Sequence, residues 1–275
     1  MRDFDIRTKD SAYYFALDFL NMTGEELIDN YILECEENFD IFWSKIFATI
    51  DGSDINTLKI NAYHITSNYD ECAEVKQFGL RNLQFVMSND TRLSRFLKEN
   101  NLHFDIDKKV LYYEGDKYNI NYDYYRWRVN LLPRERSLAD IARRLYYDHA
   151  VNGFLACNDL LSYGTDIHLR PEILMLLVNL FPKLEGLEKE WISQCNGYKL
   201  DFFASLEQVQ RCTFDLDVKR EATDPRYQLS DEQKIKYWML YHALNREVIP
   251  EVFIYIRDDT IITPQQILSY TKLCL

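Results

Sequence analysis

The chain has 275 residues, of which 47% are hydrophobic, 28% charged and 15% aromatic. Only 8 glycines and 6 prolines punctuate it, which excludes collagen-like and Gly/Pro-rich disordered chains, and 20 tyrosines with 16 phenylalanines supply ring surface for a sizeable core. The net charge of −12 argues against a chain held to nucleic acid by phosphates alone and against docking on an anionic membrane face.

In chain order, the charged N-terminal segment lacks an apolar core, so no secretory signal is expected. Residues 8–50 read as helical. Thr23 ahead of Gly24, Glu25 and Glu26 has the form of a helix cap with acids in the first turn, and Leu27, Tyr31, Ile32, Phe39, Phe42 and Trp43 recur near one face. The turn cluster 51–54 marks a boundary, and 58–65 alternates as a strand. Residues 69–78 form a short helix stopped by Gly79, a helix runs over 91–99, and 110–113 with 117–120 makes a hairpin.

The stretch 121–128 is aromatic and basic. It reads as a strand with a solvated basic face or, together with Arg92 and Arg95, as a surface that stacks on bases and pairs with phosphates. From 137 to about 195 the pattern is mostly helical, with Ser137 as a cap and Pro171 in the first turn of an apolar helix that ends before Pro182. Residues 198–203 alternate as a strand, and 215–230, with Asp224-Pro225, is an irregular loop. Ser230 opens a helix to about Asn245, 252–256 is a strand, and Thr263-Pro264-Gln265-Gln266 caps a last short helix.

No apolar run approaches the ~18 residues of a membrane span. Cys35, Cys72, Cys157, Cys195, Cys212 and Cys274 form no CxxC pair. His103, His149, His168 and His242 stand apart from them and from one another, so they read as structural and no metal site is expected. A cytoplasmic protein with reduced thiols follows. GxGxxG, GxxxxGK[ST], HExxH and GxSxG do not occur.

Two stretches carry chemistry. Tyr63-His64-Ile65-Thr66-Ser67 ends a strand and is followed by a short helix and Gly79-Leu80. Pro250-Glu251 opens an apolar strand that leads to Ile262-Thr263-Pro264-Gln265-Gln266-Ile267. In this order they resemble the first and last catalytic strands of the ADP-ribosyltransferase superfamily, most nearly its DarT-type toxins. The resemblance covers 57–82 and 247–270.

It implies an α+β fold with an ADP-ribosyltransferase-like split β-sheet core. An N-terminal helical segment would span 1–56, and the catalytic domain 57–275 would carry a large helical insertion at about 130–245. NAD would be the substrate, and ADP-ribose would pass to a macromolecular acceptor, protein or nucleic acid, or to water. Small chains of this kind serve as toxins or antiphage effectors, with an antitoxin or regulatory partner.

By the same resemblance His64 and Thr66 hold the adenosine-side ribose of NAD, with Gly79 in the turn beyond. Glu251 stabilises the oxocarbenium character that grows on the other ribose as the nicotinamide bond breaks, a task that suits a fixed carboxylate. An inner-strand tyrosine belongs to the pattern, and Tyr112, Tyr113 and Tyr163 all qualify, with Tyr113 and Tyr163 taken as NAD-binding candidates. Ile249 stands where arginine-modifying members carry a Glu, so arginine is not the expected acceptor. Residues 163–172, rich in polar and ionisable groups, form either a buried polar network with a helix cap or part of the substrate cleft. The alternatives are an RNA 2′-phosphotransferase, which uses NAD on the same scaffold, and a non-enzymatic binding or sensor protein.

Overall fold

The computed structural model describes residues 3–273 apart from 162, 165, 222, 223 and 225. Thr165, Pro225 and Cys274 therefore lie outside the described residues.

Thr8 caps helix α1 (Lys9–Leu20), and Thr23 caps α2 (Gly24–Leu27) with Glu26 bonding back to the cap. The chain then widens into a π-helical turn, Ile28–Leu33, before α3 (Phe39–Ile50). Helix α3 buries Phe39, Phe42, Trp43, Ile46 and Ile50, the spacing of one helical face. Strand β1 (Lys59–Asn68) follows, then α4 (Ala73–Phe78), α5 (Leu83–Ser88) and α6 (Arg92–Glu99). Strands β2 (Leu102–Asp105), β3 (Val110–Tyr113) and β4 (Asp116–Asn119) form a small antiparallel sheet in that order. Next come α7 (Tyr122–Tyr125), α8 (Pro133–Tyr146), β5 (Asn152–Cys157), α9 (Glu172–Leu180) and α10 (Leu187–Gln194). The chain closes with β6 (Asn196–Ser205), α11 (Asp231–Leu244), β7 (Glu251–Tyr255) and β8 (Ile267–Lys272). The larger sheet runs β7-β5-β1-β6-β8, and the protein is α+β.

The structure corrects several sequence expectations. Besides the strand expected at 198–203, which is β6, the stretch 130–245 contains the unforeseen strand β5, and both belong to the larger sheet. Strand β5 is buried on both faces, so its sequence shows an apolar run without alternation, which periodicity cannot tell from a helix. Helix α8 begins at Pro133, with Glu135 bonding back to the Leu132 amide, and Ser137 sits inside it. The stretch 121–128 opens as a helical turn, α7, and not as a strand. The signal at Thr263 caps a single 3₁₀ turn, after which the β-branched and aromatic run 267–272 extends as β8.

The chain divides into two compact units. The first comprises residues 1–63, 152–160 and 201–257. Phe4 packs edge-on against Phe15, and Trp238 packs edge-on against Phe214. Gly153 is a contact requirement here, because a Cβ would stand 2.7 Å from the Tyr63 carbonyl. Two buried cations are held by backbone oxygen: Lys236 Nζ donates to Asp51 O (2.6 Å), and Arg246 Nε donates to Ile6 O (2.8 Å).

The second unit comprises residues 64–151, 161–200 and 258–275. Its core gathers Phe96 and Leu97 of α6, Leu111 of β3, Ile141 of α8 and Leu174 of α9, all essentially without exposure. Trp191 of α10 meets Phe96 edge-on at 5.1 Å. No helix among the described residues is long and apolar enough to cross a membrane.

Candidate functional site

A cleft of about 210 Å³ opens in the second unit. Its floor is the end of β1, which contributes His64, Thr66 and Ser67. Residues 69–81 and α5 wall part of it, and α6, Arg144 of α8, residues 149–151, Pro171 and Trp191 contribute the rest. The volume lies below the ~300–1,000 Å³ of sites that enclose drug-sized ligands.

Local sequence explains why the rim takes its shape. Strand β1 ends at Asn68, and Asp70, Glu71 and Cys72 then adopt left-handed backbone in succession, with φ of 48°, 50° and 63°. Such residues cost ~1–2 kcal/mol each outside glycine. The turn throws the chain back into α4, which Gly79 ends at φ 75° and ψ −171°. A Cβ on Gly79 would lie 2.1 Å from the Ile262 carbonyl, to which the Leu80 amide donates at 2.8 Å. The glycine is thus fixed by backbone approach, which places Leu80 and Arg81 at the rim. Cys72, fully buried, has its thiol pushed up to about 12 by burial, which disfavours the thiolate.

The lining is cationic although the chain is acidic. Arg81, Arg92 and Arg144 stand with His64 and His149 against one carboxylate, Glu74. Glu74 is already engaged, accepting the Arg92 amide at 2.6 Å and pairing with Arg95 at 3.3 Å, where it complements the N-terminus of α6. The Arg81 side chain donates to Phe78 O through Nε and lies 4.6 Å over the Phe85 ring, and it makes no ion pair among the described residues. The Arg92 guanidinium lies 4.8 Å over the Tyr69 ring and donates to Gln194. Arg144 is ion-paired with Glu172 through Nε (3.1 Å) and with Asp148 through Nη1 (3.6 Å), and Arg92 Nη1 lies 3.8 Å from Glu99, while Arg92 Nε, Arg144 Nη1 and His149 Nδ1 are buried without a hydrogen bond within the fold.

Ser67 is fixed by Trp191, whose Nε1–H donates to Ser67 Oγ at 2.8 Å with both side chains buried. Thr66 Oγ1 donates to the Ser67 carbonyl. Together with the Tyr69 and Phe85 rings, these hydroxyls give the cleft groups for ribose oxygens, flat apolar faces for a base and guanidinium donors for phosphate.

Of the residues singled out from sequence, the structure brings His64, Thr66 and Gly79 to this cleft. Tyr113 is buried in the core, 4.3 Å from the Phe181 ring, and does not line it. Tyr163 is half-buried, in the polar stretch before α9, and does not line it either. Glu251 is exposed at the head of β7, opposite Cys157 in register, and belongs to the first unit. In the 163–172 stretch, Arg170 is buried and ion-paired with Glu188, as a structural network would be, while Pro171 touches the cleft.

Sequence reading missed Arg144, Trp191 and the cleft role of His149. Each lies on an element far from the His64 motif in the chain, and only packing brings them to it. No family model matches the chain, and neither a curated protein nor a solved structure does.

Proposed function

We propose that this cleft binds NAD and that the chain is an NAD-dependent ADP-ribosyltransferase with a macromolecular acceptor. One observation carries the reading. His64 and Thr66, which the resemblance assigns to the adenosine ribose, line the same cleft as the guanidinium side chains of Arg81, Arg92 and Arg144. Ribose-binding groups beside arginine side chains, with aromatic faces between, are the chemistry of a dinucleotide site.

In this reading His64 and Thr66 fix the adenosine ribose, and the arginines take the pyrophosphate. Tyr69 or Phe85 offers a face to a base. The reaction breaks the bond between nicotinamide nitrogen and ribose C1. Nicotinamide leaves with the bonding pair, and an acceptor nucleophile forms the new bond to C1 and loses its proton to water. The resemblance gives Glu251 the carboxylate that stabilises the oxocarbenium-like ribose in between. Ile249, two residues before it, offers no group to orient a guanidinium, which favours an acceptor other than arginine.

The test joins binding to turnover. NAD should raise the melting temperature, and calorimetry should give a dissociation constant that His64→Ala weakens by roughly 5- to 150-fold, the equivalent of one lost hydrogen bond of ~1–3 kcal/mol. Nicotinamide release in the presence of lysate should vanish in Glu251→Gln with NAD binding retained. NAD binding that is absent, or indifferent to His64→Ala, refutes the site. Binding without any nicotinamide release would instead make the protein a sensor.

A further inference from the structure

We infer that this chain associates with further copies of itself, head to tail, through two surface patches of opposite charge. The inference is independent of the NAD reading.

The first patch lies on the first unit. Residues 10–44 contain nine carboxylates and neither lysine nor arginine. Within them the π-helical turn Ile28–Leu33 carries an i→i+5 bond from the Glu34 amide to Asp29 O (2.9 Å). In so wide a turn, side chains four and five apart look the same way. Ile28, Ile32 and Leu33 are accordingly exposed together, Leu33 at 67%. Glu25, Asp29, Glu36 and Glu37 are exposed around them and make no ion pair among the described residues.

The second patch lies on the second unit, between α7 and α8. Trp127, Val129 and Leu132 are 79%, 85% and 67% exposed. Residues 122–143 carry five arginines against three carboxylates, in a chain of net charge −12. Arg126 and Arg128 are neutralised by Asp123 and Glu135, whereas Arg134 and Arg136 are exposed and make no ion pair among the described residues.

Each patch is a small apolar centre whose unpaired rim charges are mainly of one sign, and the signs are opposite. Apolar centres that meet while opposite rims pair are the anatomy of a specific interface. Aliphatic side chains as exposed as Val129 and Leu132 gain nothing from a nucleic-acid strand, whose stacking needs rings. They gain from an aliphatic counterpart such as Ile32 and Leu33. Because the two patches differ, the contact is heterologous: one copy's Trp127 patch takes the next copy's Ile32 patch, giving rings or filaments.

The test is sedimentation velocity of the full chain across concentration at low salt. Wild type should show species larger than the monomer, and the apparent dissociation constant should rise about tenfold or more between low and high salt as the rims are screened. Trp127→Ser and Ile32→Glu should each give a monomer, with unchanged circular dichroism because both residues are exposed. Mixed together, these two variants should form a one-to-one complex and no larger species, since one intact pair of patches remains between them. A wild-type chain that stays monomeric throughout overturns the inference, including when it binds an oligonucleotide through Trp127. Assembly that either variant leaves intact, or a mixture that stays monomeric, overturns it as well.

Discussion

Replacing Gly79 with alanine should destabilise the second unit by about 2–4 kcal/mol, and the magnitude follows from two separable costs. The backbone at φ 75° and ψ −171° lies in a region that is essentially glycine-only, where another residue costs ~1–3 kcal/mol. The new Cβ would also fall 2.1 Å from Ile262 O, so the Leu80 amide and the Ile262 carbonyl must part. That loses a hydrogen bond worth ~0.5–1.5 kcal/mol. Gly115 is the control: its φ is 89°, yet nothing lies within 4 Å of a Cβ built there, so Gly115→Ala bears only the backbone cost. Thermal unfolding followed by circular dichroism should show Gly79→Ala melting about 5–15 °C below wild type and clearly below Gly115→Ala. The reasoning is refuted by a Gly79→Ala protein within ~0.5 kcal/mol of wild type. Equal losses in the two variants would refute the part that rests on Ile262.

Trp191→Phe should cost ~1–3 kcal/mol by leaving buried Ser67 Oγ without its donor. In a double-mutant cycle with Ser67→Ala the two losses should be markedly less than additive, and strict additivity would show that the bond contributes nothing. His242, stacked 4.0 Å from Trp238 with its Nδ1 unpartnered, is held down to about 4 by burial, against about 6.5 in the unfolded chain. The fold favours its neutral form, so that contribution is complete above about pH 6.5 and is lost as pH falls toward 4, by at most ~1.4 kcal/mol per pH unit. Urea unfolding of His242→Phe should lack this part of the slope between pH 6.5 and 4, and a slope equal to wild type would show that other groups carry it.

Local signals in the sequence determined much of this protein. Capping residues act within one turn, so Thr8, Thr23, Asn38, Thr91 and Ser230 start helices through hydrogen bonds three residues long. The alternation at 58–65 and the hairpin around Gly115 are equally local, and both are present as β1 and the β3–β4 turn. His64 and Thr66 stand out through the resemblance, whose His-x-Thr at a strand end, helix and Gly-Leu lie within seventeen residues of chain. What depended on distant partners was not legible. Strand β5 shows no alternation because both its faces are covered, and the Thr263 cap cannot say whether a helix or a strand follows one turn. Gly79 reads as a helix stop in sequence, but its necessity comes from Ile262, 183 residues away. The cationic character of the cleft is the clearest case. The chain as a whole carries −12, and only tertiary packing sets Arg81, Arg92 and Arg144 around one cavity whose lining holds a single carboxylate, Glu74, itself engaged at the N-terminus of α6. Net charge is a sum over the chain, whereas a ligand meets the field of the few groups that packing turns toward it.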